Sequence, residues 1–392
     1  MRRRDSGRID VILAASQERM PMHRSRNSHL RLADRPADYE KLGIAPVEVA
    51  AFEDGQRIGT ERGRYEWWYF DAHLDNGATV VVVFYTKPNV TPNGPLAPRI
   101  TLNITLPDGR AFTKLLDTGP ELFSASKSGC DVRIGTNRFV GDLTRYHIAA
   151  AIEEVSVDIE LTAKVPAWRP KSGHLYFGAE GQEKLFAWLP SVPYGLASVR
   201  YRIGNEEHRG SGSGYHDHNW GDVPMQTIIH NWYWARASVG PYTIIASDIT
   251  ATAAYGYETQ IVYMLARDGQ IIADDDAKVS FETDRVAIDG KTGKPVADVT
   301  RYTYHDTDAR YVVSFERETT ILRAILTERA PPLKRIMARL IGFDGAYHRF
   351  TGKVTIEKFE RDVSVERFED RAIWELMYFG KTRSQDAKIQ NS

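Results

Sequence analysis

The chain has 392 residues, enough for one large domain or two of ordinary size, and its 42% apolar and 26% charged residues are the balance of a globular protein. A formal net charge of −1 supplies no overall field toward nucleic acid, so no nucleic-acid partner is expected. The one cysteine, Cys130, excludes an internal disulfide, reads as a small buried hydrophobe, and fits a reducing, cytoplasmic setting.

The elements follow in chain order. Residues 1–40 are arginine-rich and lack a pattern, and a disordered basic tail is expected there. Its apolar run, Val11 to Ala15, is too short for a secretory core or a bilayer span. Touching anionic lipid is the sharper reading of this tail, a peripheral membrane contact. Strand signals then dominate. Thr79 to Thr86 is a continuous β-branched and aromatic run, and Ile100, Leu102, Ile104 and Leu106 alternate with Thr101, Asn103 and Thr105. Val155, Val157, Ile159 and Leu161 alternate in the same way, and further strands are expected at 242–249, 258–266, 311–317, 353–359 and 371–379. Asn-Gly and Asp-Gly turns such as Asp75-Asn76-Gly77 and Asp268-Gly269 separate many of them, which argues for antiparallel barrels or sandwiches. One helix is expected after Pro331-Pro332, where Leu333, Ile336, Met337, Leu340 and Ile341 fall at helical spacing before Gly342. It packs on a barrel, or it serves as a lid that touches a membrane. The fold class is therefore all-β, with two barrels at 41–222 and 223–381, a short amphipathic helix in the second, and a polar tail at 382–392.

The densest chemistry lies in Gly210 to Asp222, where two histidines, two aspartates, an asparagine, a tyrosine and a tryptophan follow a glycine run. The run lacks the Gly-Lys-Ser/Thr of a phosphate loop, so its glycines are expected to let the backbone pass close to another strand. On a strand His216, His218 and Trp220 share one face, and Asp217 and Asn219 the other. A His-x-His pair can bind a metal, but no third ligand sits at a recognised spacing, and none is expected. A polar network that fixes a histidine tautomer is the preferred reading. In the strand from Tyr242 both faces are apolar, which makes Asp248 a carboxyl group among aliphatic neighbours. Burial raises such a carboxyl's pKa and lets it act as a proton donor, unless a partner such as Arg236 satisfies it. The run Glu66-Trp67-Trp68-Tyr69-Phe70-Asp71 puts rings on both sides of a strand, with Glu66 able to pair with Arg64 or Arg236.

Glu66 to Asp71, Gly214-Tyr215-His216-Asp217-His218-Asn219-Trp220-Gly221 and Trp374-Glu375-Leu376-Met377-Tyr378-Phe379-Gly380 resemble, in this order, the carotenoid 1,2-hydratase (hydroxyneurosporene synthase) family and the similar AttH-like proteins. The resemblance spans about residues 45–380. It implies two lipocalin-like barrels and an apolar isoprenoid or polyene substrate in a cavity at or near their junction. It also implies alkene hydration without a cofactor, or, as in other relatives, terpenoid cyclisation or a Diels–Alder reaction. By order and spacing it places the acid on Asp248, assisted by His218 and Trp220. His216, Trp234, Trp232, Tyr233, Trp68, Tyr69, Glu66 and Tyr242 are the expected substrate-binding residues. Where the family pattern has a tyrosine two residues before the acid, this chain has Ala246, which removes a hydroxyl from that site. A non-catalytic carrier of hydrophobic ligands is the reading from another class.

Overall fold

The computed structural model describes residues 29–328 and 342–383. Its strands form two sheets, of 13 and 9 strands, and among the described residues the strand pairings are antiparallel. The first sheet runs from Ala111–Asp117 through Arg99–Thr105, Thr79–Tyr85 and Tyr65–Leu74 to Glu206–Gly221, then on through Lys184–Ile203, Val155–Ala163 and Arg145–Ile152. The second centres on Tyr242–Ala251, Ile229–Val239, Val363–Tyr378 and Ala346–Glu360. Both sheets curl as lipocalin-like barrels do. In the first, Phe70, Val82 and Ile100 from one half meet Phe139, Ile148 and Val157 from the other in a single core. In the second, Tyr233, Ile244 and Tyr263 meet Tyr302, Phe315 and Trp374.

The period-two patterns decide which side chains fill these cores. Ile100, Leu102 and Ile104 point inward, while Thr101 and Asn103 face out. The strand Tyr242–Ala251 is buried along its whole length because its two faces serve different cores. Tyr242, Ile244 and Ala246 fill the second barrel, whereas Ile245 and Ile249 pack against Trp188, Leu175 and Tyr215 of the first. This shared core joins the barrels, and each large aliphatic side chain buried there contributes about 1.5–3 kcal/mol.

The glycine run behaves as its composition suggests. Glu206–Gly221 pairs with Tyr65–Leu74, and a Cβ at Gly212 would run into the His73 carbonyl oxygen. Gly212→Ala must force the two backbones apart. We expect it to cost about 1–3 kcal/mol, the usual range for overpacking, read as a lower melting temperature. No change in melting would mean that the strands part freely.

Two expectations differ from the structure. Residues 1–40 were expected to be disordered, yet Leu30–Leu32 is a strand paired with His174–Phe177, and Pro36–Leu42 is a helix closed by left-handed Gly43. Leu30 and Leu32 are buried, Arg31 forms a fork of 2.7 and 3.0 Å on Asp38, and the Glu258 carboxylate accepts the backbone N–H groups of His29 and Leu30. The basic charge in this stretch is thus partly spent on local partners. Arg64 pairs with Glu61, not Glu66, because both sit in one exposed turn. The rest of the basic tail, the helix expected after Pro332 and most of the polar tail lie outside the described residues.

Candidate active site

The motif strand divides its polar residues between two environments. Register sets His216 opposite Phe70, His218 opposite Trp68 and Trp220 opposite Glu66. His216 and His218 point into the first barrel, fully buried, toward Asp54 on the turn Ala51–Asp54 that plugs it. The Asp54 carboxylate accepts the Tyr146 hydroxyl at 2.5 Å and faces His216 Nε2 at 3.1 Å and His218 Nδ1 at 3.5 Å. His216 Nδ1 meets the Tyr69 carbonyl and His218 Nε2 meets Glu66, both at 2.8 Å, while among the described residues His218 Nδ1 makes no hydrogen bond. Trp68 stacks on His218 at 4.6 Å, and its indole N–H donates to the Asp54 carbonyl. Burial works against the Asp54 charge, but the facing imidazoles and the Tyr146 hydroxyl outweigh it and hold the carboxyl below its ordinary pKa.

Asp54, Cys130 and His216 offer donor atoms within 4.8 Å of one another, the geometry of a potential metal site. Burial, followed by the Asp54 charge, pushes the Cys130 thiol well up, and it donates to the Phe139 carbonyl at 3.6 Å. The carboxylate and imidazole already hold protein partners. The three groups thus take part in a polar core that includes the Tyr146 hydroxyl and the Tyr69 carbonyl.

On the outer face of the same strand, Asp217 accepts from Tyr215, Trp188 and Asn219 at 2.7 to 2.9 Å. Burial outweighs these three donors and lifts its pKa to about 6. Tyr215 continues the line outward, against Trp234 at 5.7 Å and beneath the Arg236 guanidinium at 4.8 Å.

Trp234 and Arg236 border a cavity of about 730 Å³ between the barrels. Its walls are the outer faces of Tyr65–Leu74, Thr79–Tyr85 and Arg99–Thr105 on one side, and of Ile229–Val239, Ala346–Glu360 and Val363–Tyr378 on the other. Two phenol–carboxylate couples face the hollow. Tyr69 donates to Asp71 at 2.9 Å, and Asp71 also takes the Arg236 guanidinium. Tyr347 donates to Glu375 at 2.7 Å, and the Trp232 indole N–H reaches the other Glu375 oxygen at 3.1 Å. Arg349 stands opposite Glu375 in the strand register. Burial, then the Arg349 charge, drives His73 down to about 4, so its ring is neutral near pH 7. Burial likewise brings Arg236 to about 10, with Arg349 adding repulsion. Val81, Val83 and Trp234 supply apolar wall between these groups.

Of the residues expected from sequence, Tyr69 and Trp234 line this cavity, and Trp232 braces Glu375. The structure places His216, His218, Glu66 and Trp68 inside the first barrel, and Trp220 there too, against Ala187 and Leu189. Asp248, Tyr233 and Tyr242 point into the second barrel. Asp248 lies opposite Tyr233, its charge also bears on Tyr302, and Tyr242 donates to Glu366 at 2.8 Å. His218 and Trp220 thus sit in one barrel and Asp248 in the other; the three are not gathered at one point. Arg236 pairs with Asp71, not with Asp248 or Glu66, because it projects from the outer face of its strand. Asp71, Tyr347, Arg349 and Glu375 had not been singled out as site residues. Their signal is weak: Tyr347 and Arg349 alternate with buried Ala346, His348 and Phe350, which reads as an ordinary solvent face.

A family model described as Diels-Alderase-like matches residues 141–323. The hydroxyneurosporene dehydrogenase of Chlorobaculum tepidum is 29% identical over 210 residues, which is 44% of this chain and 53% of that protein. The quinolone epoxide rearrangement protein of Emericella nidulans is 26% identical over 206 residues, 47% of this chain and 54% of that one. The acyclic carotenoid 1,2-hydratase of Thiocapsa roseopersicina is 25% identical over 215 residues, 50% of this chain and 49% of that one. The resemblance to the carotenoid hydratase and AttH-like group stands. The matches span about half the length of these curated relatives. An AttH protein of Nitrosomonas europaea is similar in fold to this chain, with a TM-score of 0.52 and 14% identity over 81% of this chain and 94% of that one. Among the described residues no helix is long and apolar enough to cross a membrane.

Proposed function

We propose that this chain is an enzyme that converts an apolar polyene or isoprenoid-derived molecule in the junction cavity by acid–base chemistry, without a redox cofactor. One observation carries the reading. Two phenol–carboxylate couples and three guanidinium groups surround a single hollow of about 730 Å³, in the size range of small-molecule sites. Val81, Val83 and Trp234 would hold the apolar body. Glu375 would take a proton, directly or through Tyr347, while arginine N–H groups stabilise negative charge that develops on a substrate oxygen. Hydration, rearrangement and cyclisation all draw on these parts, which agrees with the variety of names among the relatives. Mass spectrometry of cell extracts incubated with the protein tests the reading. A product that gains water or is isomerised is expected. A carrier would leave every mass and retention time unchanged, and that result would sink the proposal.

A second reading keeps Asp248 as the acid that protonates an alkene. It is favoured by the burial of this carboxyl, 4% exposed, opposite Tyr233 and close enough to act on Tyr302. Asp248→Asn separates the two. Chemistry in the junction cavity leaves turnover within a few-fold of the parent, whereas complete loss of product from a folded variant would move the reaction into the second barrel.

A further inference from the structure

The histidine motif lies apart from the junction cavity, and its hydrogen bonds leave acceptors facing acceptors. A carbonyl oxygen only accepts, so the Tyr69 carbonyl puts the proton of His216 on Nδ1 and leaves a lone pair on Nε2. Glu66 Oε1, which also takes the Arg57 backbone N–H at 2.6 Å, puts the proton of His218 on Nε2 and leaves a lone pair on Nδ1. Both lone pairs turn toward one carboxylate, His216 Nε2 at 3.1 Å from Asp54 Oδ2 and His218 Nδ1 at 3.5 Å from Asp54 Oδ1. Among the described residues Asp54 Oδ1 and His218 Nδ1 make no hydrogen bond. Electron pairs gathered this way on residues 0–1% exposed need positive charge between them.

A second proton on each ring is one source of that charge. The third side of the cluster favours a metal ion instead. There the buried Cys130 offers its sulfur, with Cys130, Asp54 and His216 donor atoms all within 4.8 Å of one another. Thiolate, imidazole and carboxylate are the ligands that zinc takes. Each imidazole also carries, on its far nitrogen, the carbonyl or carboxylate that orients a metal-bound histidine. We propose that the first barrel holds a structural zinc ion, bound by Asp54, Cys130, His216 Nε2 and His218 Nδ1. On binding, the Cys130 thiol gives its proton to solvent. Zinc, thiolate and the Asp54 carboxylate then sum to zero with both imidazoles neutral, which leaves the Glu66 charge to the nearby Arg57 guanidinium. Donors on one tetrahedral zinc stand roughly 3.3–3.6 Å apart, so the group draws in by up to about 1 Å. The ligands are buried, as those of closed structural sites are, and the ion ties the turn Ala51–Asp54 and the strand Cys130–Ile134 to the motif strand. The ligands that the motif's own spacing lacks thus come from distant parts of the chain.

The test uses the full chain from cells grown in zinc-poor medium supplied with cobalt(II), which enters as the chain folds and reports its ligands by absorption. About one cobalt per chain is expected, with the intense visible bands of a tetrahedral ion and a near-ultraviolet thiolate-to-cobalt band. The chain has one cysteine, so that band can come only from Cys130. Cys130→Ser is expected to lose it. Removal of zinc from the zinc-loaded parent by a chelator is expected to lower the melting temperature by about 5–10 °C, the shift for a ligand held near a hundredfold above its Kd. Bound cobalt without the thiolate band, or a spectrum unchanged in Cys130→Ser, means adventitious surface ions only and overturns the site. A chain that takes up neither metal, and whose melting ignores zinc, overturns it too and leaves the positive charge to protons on the rings. If Cys130→Ser does not fold, the thiolate band of the parent decides by its presence or absence.

Discussion

Asp54→Ala is expected to destabilise the first barrel by about 3–5 kcal/mol, the range for removing one member of a buried charged cluster. The alanine would leave the Tyr146 hydroxyl and His216 Nε2 facing an apolar gap, and would take away the acidic neighbour of His218 Nδ1. None of these groups can turn to water, because His216 and His218 are wholly buried and Tyr146 is 1% exposed. In a domain of this size each kcal/mol lowers the melting temperature by about 2–4 °C, so a fall of roughly 6–20 °C should appear in a circular dichroism melt at pH 7. The effect carries a pH signature. The folded Asp54 pKa lies below its unfolded value, so the contribution is complete above the ordinary aspartate pKa and is lost as pH falls through the lower folded value. The gap between parent and variant should therefore be widest near neutrality and narrow below about pH 4. Coincident melts at pH 7 would show that the cluster contributes nothing to the fold.

That cluster also shows where the sequence was legible. The alternation of His216 and His218 with Asp217 and Asn219 could be read directly, because side-chain direction on a strand follows position parity. So could the inward set Ile100, Leu102 and Ile104, and the close backbone approach that the glycine run permits. Asp54 could not. It lies far along the chain from His216, in a turn with no strand pattern, and only the curl of the sheet brings the two together. The cavity was hidden for a related reason. A barrel's outer face is polar whether it meets solvent or a second barrel, so Asp71, Tyr347, Arg349 and Glu375 follow the pattern of surface residues. Only the docking of the barrels through Ile245, Ile249, Trp188 and Tyr215 turns two such faces toward one another. Asp248 illustrates the complementary ambiguity. A strand apolar on both faces is evidently buried, but parity alone does not say which face meets the interior of its own barrel and which meets the neighbour.

Glu375→Gln is expected to lower turnover by about 10²–10⁴-fold, the range for losing a general base, while ligand affinity changes only a few-fold. The amide keeps the size of the carboxylate and can still accept from either Tyr347 or Trp232, so the wall of the cavity is largely preserved. What it loses is the capacity to take a proton. Tyr347→Phe should give a smaller loss if the phenol only relays that proton, and a loss as large if the carboxylate reaches the substrate solely through it. Rates from product formation, set beside affinities from fluorescence titration, separate chemistry from binding. Glu375→Gln with undiminished turnover, together with an inactive but folded Asp248→Asn, would assign the reaction to the second barrel's interior. Loss of activity at Glu375 with Asp248→Asn still active would place proton transfer between the barrels, where the carboxylate, the phenol and the guanidinium of Arg349 come from neighbouring strands of one wall.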